Sequence, residues 1–151
     1  MPVRIHYEDD IFFLQAMIKT LKAATELDID LEFFKDKLIE DTFFIDSTLL
    51  RIFGSLKENE QLLNRKQYLR SVLRAKNVFV EFLQSLFDSP LAHTEELAPY
   101  ISKLRACQES NEQDIREIQE ILQTDYDREP QEDVVSQEEF RWLLEDEDNN
   151  G

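Results

Sequence analysis

Few side chains in this chain could do covalent or metal chemistry. Of 151 residues, only His6 and His93 are histidines and only Cys107 is a cysteine. A di-iron site in a helical protein needs paired Glu-x-x-His motifs, and a structural zinc site needs several thiolates or imidazoles, so no metal centre and no cofactor is expected. Cys107 could serve as a nucleophile only if the fold brought a histidine to it, and local spacing does not. A buried, inert thiol is the ordinary alternative. The carboxylates are numerous but scattered, as solvating charge is, and no catalytic residue is assigned among them. Gly54 and Gly151 are the only glycines, too few for the loops that cradle nucleotide phosphates or the tight turns of all-β folds.

Charge narrows the partners. With 33 acidic and 17 basic side chains the net charge is −16, which argues against nucleic acid and against the anionic face of a membrane. No apolar run reaches the roughly 20 residues of a membrane span. The lone cysteine and the lack of a secretory leader at Met1-Pro2-Val3-Arg4 imply a reducing, cytoplasmic setting. Protein partners are the expectation, a second copy of the chain among them.

The elements that would carry such a surface are helices. Ile11, Leu14, Ile18 and Leu21 place a first helix over about 9–27, behind the acids Glu8, Asp9 and Asp10. A second begins after Asp30, follows Leu31, Phe34, Leu38, Ile45, Leu49 and Ile52, and is expected to stop at Gly54. A third opens on the capping box Ser55-Leu56-Lys57-Glu58 and carries Leu62, Leu69, Val72, Phe79, Leu83 and Leu86 to Ser89-Pro90. Its expected length is on the order of 50 Å. A turn with a short helical piece leads to a fourth helix from Pro99, with Ile101, Leu104, Ile115, Ile118 and Leu122.

The fold class is therefore all-α: an antiparallel bundle of about four elongated helices over 1–124, an acidic flexible linker over 125–134, and a short amphipathic docking helix with an acidic tail over 135–151. Two features interrupt the apolar pattern. Gln108 and Asn111 occupy seam positions of the fourth helix, where polar residues either fix register or oligomeric state or are simply exposed. Phe12-Phe13, Phe33-Phe34 and Phe43-Phe44 widen two apolar faces, to be filled by core packing or left as a cleft or homodimer surface.

The tail is distinct in composition. Residues 125–151 hold 11 acids and two bases, more than half of the net charge. Within them Ser136 and Glu139 form a second capping box, and Phe140, Leu143 and Leu144 share one helical face beside Trp142. So short a helix is marginal in water and gains order when its apolar face is covered. The cover could be the chain's own bundle, where the basic stripe of Lys66, Arg70 and Arg74 offers an acidic tail a complementary surface or is simply a solvated face, or it could be a partner protein.

The stretch Val135-Ser136-Gln137-Glu138-Glu139-Phe140-Arg141-Trp142-Leu143-Leu144 resembles the peptide of the flagellar switch protein FliM family, whose pattern is Leu-Ser-Gln-x-Glu-Ile-Asp-x-Leu-Leu. The resemblance implies that Ser136 caps the helix, that Phe140 takes the branched aliphatic position, and that Leu143 and Leu144 enter a CheY-like receiver. A docking helix at the end of an acidic linker is also similar to the phosphatase CheZ. The catalytic Asp-x-x-x-Gln spacing of that family is absent from the fourth helix, where Ile118 follows Asp114 by four, so no phosphatase activity is expected. His93 resembles the phospho-accepting histidine of phosphotransfer domains, but Glu95 and Glu96 follow it and would repel a phosphoryl group. The expected function is a non-enzymatic adaptor or regulator with a tethered docking peptide, set in motility or chemotaxis. The alternative is a flagellar or type III export chaperone that holds a secreted protein's helix on its phenylalanine-rich faces.

Overall fold

A computed structural model describes residues 6–27 and 31–128. They form four α-helices, α1 (Tyr7–Glu26), α2 (Leu31–Glu58), α3 (Arg65–Asp88) and α4 (Ile101–Arg128), with two 3-10 turns, Pro90–His93 and Ala98–Tyr100, between α3 and α4. No strand occurs among the described residues, so the protein is all-α. By internal contacts the chain divides into Met1–Gln119 and Glu120–Gly151. The described part of the second unit is the end of α4, which includes the first four residues of the expected linker. The remainder of that linker and the docking helix lie outside the described residues.

Three helices bury most of the stripe their spacing dictates, while in α4 Leu104 and Ile118 are buried and Ile101, Ile115 and Leu122 are half-buried. Ile11, Leu14, Ile18 and Leu21 of α1 are buried, as are Leu38, Ile45, Leu49, Ile52 and Leu56 of α2 and Leu69, Val72, Phe79, Leu83 and Leu86 of α3. The side-chain contacts give the helix directions. Tyr7 stacks on Tyr68 with ring centroids 4.9 Å apart, and Gln15 donates to the Ser71 carbonyl at 3.4 Å, so α1 and α3 run parallel. These two are the most closely packed helices. The buried Ala75, one turn beyond Ser71, keeps that face of α3 slim enough for a near approach. Gln108 meets Gln84, and Asn111 meets Lys76, so α4 runs antiparallel to α3.

Two expected boundaries move. Gly54 does not end α2; the helix continues through the capping-box residues to Glu58. Leu56 extends the 45, 49, 52 stripe by one more step and is fully buried, a gain that exceeds the roughly 1 kcal/mol cost of an interior glycine. Ser55 is accordingly no N-cap: its hydroxyl meets the Tyr7 hydroxyl at 2.5 Å. The chain turns instead at residues 59–64, where Asn64 adopts a left-handed φ of 64°, a conformation that asparagine tolerates better than most residues. Carbonyls at the end of α2 are satisfied from outside the helix, Ser55 by the Asn59 amide at 2.8 Å and Leu56 by Arg65 Nε at 2.7 Å. Leu62 consequently lies in the turn, half-buried, and α3 has 24 residues, roughly 36 Å in place of the expected 50 Å.

Candidate functional site

The one lysine sealed in the interior organises the polar centre of the protein. Lys76 continues the α3 stripe between Val72 and Phe79 and is 1% exposed. Its ammonium donates to Asn111 Oδ1 at 2.7 Å and to Asp114 Oδ2 at 3.1 Å, and it lies 5.9 Å from the centre of the Phe53 ring. The Asn111 carboxamide works in both directions: its nitrogen donates to Asp46 Oδ1 at 2.8 Å and to the Cys107 carbonyl at 2.8 Å. One amide thereby joins α2 through Asp46, α3 through Lys76 and its own α4. Nearer the other end of α3, Gln108 donates to Gln84 at 3.0 Å. Both seam residues of α4 are thus buried and engaged across helices, a register-fixing arrangement.

Electrostatics give this cluster the character of a clamp. Burial pushes the Lys76 ammonium below its ordinary pKa, while the carboxylates of Asp114 and Asp46 oppose the shift and hold the charge in place. Burial, with the adjacent Asp46 carboxylate and a hydrogen bond to it, pushes the Cys107 thiol up to about 12. Cys107 is therefore a thiol, not a thiolate, at neutral pH and is a poor nucleophile. Lys57, on the rim, lies 4.4 Å from the centre of the Phe53 ring and pairs with Glu117 at 3.2 Å. Sequence reading assigned Asn111 and Gln108 a seam role but did not single out Lys76 or Asp46. A signal was present: the α3 stripe steps by seven from Val72 to Phe79, and Lys76 fills the vacancy.

Of the two expectations for the phenylalanine pairs, core packing or an open face, core packing does not hold for four of the six rings. Phe12, Phe13, Phe33 and Phe44 are 74%, 58%, 88% and 49% exposed, while Phe34 and Phe43 are half-buried. Phe33 and Phe34 straddle the boundary of the buried stripe of α2, so one of them turns outward, whereas Phe12 and Phe13 both lie on the side of α1 away from Ile11, Leu14, Ile18 and Leu21 and are both exposed. Phe33 and Phe44 are 11 residues apart, about three turns, and share the outer face of α2.

The other sequence candidates fall as follows. Ser136, Glu139, Phe140, Trp142, Leu143 and Leu144 lie outside the described residues. Lys66, Arg70 and Arg74 are on α3, half-buried, exposed and exposed respectively; Arg74 donates to Ser71 Oγ at 3.1 Å. His93 is exposed at the end of a 3-10 turn. A cleft of about 400 Å³ beside that turn is lined partly by Glu26 and Asp88, whose carboxylates meet Lys22 and Gln84. Among the described residues no three His, Cys, Asp or Glu side chains group to hold a metal ion, and no helix is long and apolar enough to cross a membrane. Comparison with family models, with curated proteins and with solved structures finds no match to this chain.

Proposed function

We propose that this protein is a non-enzymatic helical adaptor: a four-helix body clamped at Asn111, with a C-terminal peptide that docks on a partner protein. The observation that carries the adaptor reading is the exposure of Phe12, Phe13, Phe33 and Phe44 on a body whose polar interior is self-satisfied. Such a body has apolar surface to offer and a stable frame to offer it on. The tail adds a second docking element, with Phe140, Leu143 and Leu144 on one face after the Ser136 cap. Its resemblance to the FliM peptide makes a CheY-like receiver the favoured partner and motility or chemotaxis the favoured setting, in the cytoplasm.

Calorimetric titration of the full chain with a phosphorylated receiver domain tests the tail. Phe140→Ala and Leu143→Ala should each cost about 1–3 kcal/mol of binding, as truncations of anchor residues do. Unchanged affinity for both variants rejects the tail as the docking element.

The exposed α1 and α2 aromatics also favour a second reading, a flagellar or type III export chaperone that shelters an amphipathic helix of its client. In that case Phe33→Ala and Phe44→Ala weaken client binding, while Phe140→Ala leaves it intact. Release of phosphate from a phosphorylated receiver at an accelerated rate, or label transferred to His93, would instead make the protein an enzyme or phosphocarrier and overturn both.

A further inference from the structure

α1 carries a second stripe opposite its buried one. Phe13, Ala16, Thr20, Ala23 and Leu27 recur at alternating steps of three and four, and every one is exposed. A 3.5-residue repeat is the spacing of a coiled-coil seam, which needs apolar or small side chains at each step; a solvated face does not. The stripe can also be dehydrated at little cost. Thr20 already donates its hydroxyl to the Ala16 carbonyl at 3.0 Å, so covering it strands no donor, and Asp9, one step before Phe13 on the same repeat, is the charge the pairing must offset.

Size and charge identify what covers the stripe. Phe13 is a large knob, 58% exposed, while Ala16 and Ala23 leave holes on the same face. Charge is divided along the helix, with exposed Glu8 and Asp9 in the first turn and Lys19 and Lys22 about three turns later. Lys22 also reaches Glu26 at 3.1 Å. Side by side in parallel, two such helices would set acid against acid. Antiparallel, each acidic turn meets the other's lysines. The outer face of α2 lacks this continuity, because Lys37 and Glu40 lie between Phe33 and Phe44.

We propose that the outer face of α1 pairs antiparallel with α1 of a second copy of this chain. Phe13 of each copy seats on Ala16 of the other, and the same register brings each Phe12 ring, 74% exposed, beside Lys19 of the other copy, where ring and ammonium attract. The pairing rests on α1 alone and stands whether or not the tail docks on a receiver.

Sedimentation equilibrium of the full chain over a wide concentration range tests it. The expected result is a monomer–dimer equilibrium that Phe13→Glu weakens by roughly tenfold or more, with helicity by circular dichroism unchanged because Phe13 is outside the core. Phe44→Glu, on α2, should leave the equilibrium as it is. Lys19→Glu and Asp9→Lys should each weaken pairing, and the two together should restore it. A chain that is monomeric throughout, a dimer indifferent to Phe13→Glu, a dimer lost with Phe44→Glu, or a double reversal that fails to restore pairing would each overturn the proposal.

Discussion

The clamp at Asn111 and the outer faces of α1 and α2 invert the usual partition of side chains. Inside, where aliphatic packing would suffice, the protein keeps a lysine, an asparagine and two aspartates, and they partner one another across three helices. Outside, where charge would suffice, four phenylalanines among the described residues are exposed. The interior departure specifies geometry, because an amide that must satisfy Lys76 and Asp46 at once tolerates a single relative placement of α2, α3 and α4. The exterior departure adds nothing to such specification; under the proposed adaptor reading it is surface offered to a partner. The contrast sets residues expected to decide stability against residues proposed to decide association, and substitutions can test whether that separation holds.

Asn111→Ala should give the largest effect. It removes the acceptor of Lys76 and the donor to Asp46 together and leaves buried charges underpaired, so urea denaturation should show a loss of about 3–5 kcal/mol. Lys76→Met sharpens the comparison, because it removes the buried cation while keeping its volume and leaves Asp114 part-exposed and Asp46 still bonded to Asn111. The buried Asn111 Oδ1 loses its donor, so a cost of about 1–3 kcal/mol is expected there, below that of Asn111→Ala. If both variants cost the same, the cluster supplies net stability and not specificity.

The pH dependence of the same clamp is the next largest effect. Cys107 has a folded pKa raised from 9.0 to about 12, so the folded state holds its proton longer than the unfolded state. The associated stability is complete below pH 9 and is lost as pH climbs from there toward 12. Lys76 has the opposite sign. Its folded pKa is lowered, so the cost of burying its charge is relieved as pH rises toward 10.5, the ordinary lysine value. The wild-type profile above pH 9 is therefore a partial cancellation. Cys107→Ala should lower stability at every pH through lost packing, yet its stability should rise with pH above 9 where the wild type is flat or falls. Equilibrium unfolding at stepped pH reads that change of slope directly.

How much of this was visible in the sequence differs between the two regions. The all-α class, four helical stretches and their buried faces follow from apolar spacing, since burial of a 3.6-residue stripe leaves little choice. The helix ends at Gly54 and Ser55 were misplaced because local signals for a stop and a start coincided there. They lost to the burial of Leu56 and to the left-handed turn available at Asn64. Asn111 was legible as a polar seam residue, but its partners were not, because Asp46 and Lys76 are 65 and 35 residues away and no local rule pairs them. The outward phenylalanines were legible as an excess. Which of the six rings stay exposed depends on the neighbouring helices.

On the outer side, Phe33→Ser and Phe44→Ser should each change folding stability by no more than about 0.5 kcal/mol, as substitutions away from packed sites do. Under the chaperone reading each should also weaken client binding by about 1–3 kcal/mol. A stability loss comparable to that of Asn111→Ala would erase the division, since these rings would then belong to the core. Thermal melts and calorimetry on the same two variants measure both quantities.

The smallest effect is a gain, and it tests the frame that both regions share. Gly54 lies inside α2, four residues before the helix ends, and an added Cβ there meets nothing within 4 Å. Alanine at this position keeps a helical backbone that any L-residue adopts. It reduces the conformational freedom of the unfolded chain and raises helix propensity, together worth about 0.5–1 kcal/mol. Gly54→Ala should therefore raise the midpoint of urea unfolding without changing its slope or the self-association of the chain. A destabilised Gly54→Ala would mean that α2 needs a break at this residue. The register by which Asp46 reaches Asn111 and Lys57 reaches Glu117 would then have to be set by two helical segments in place of one continuous rod.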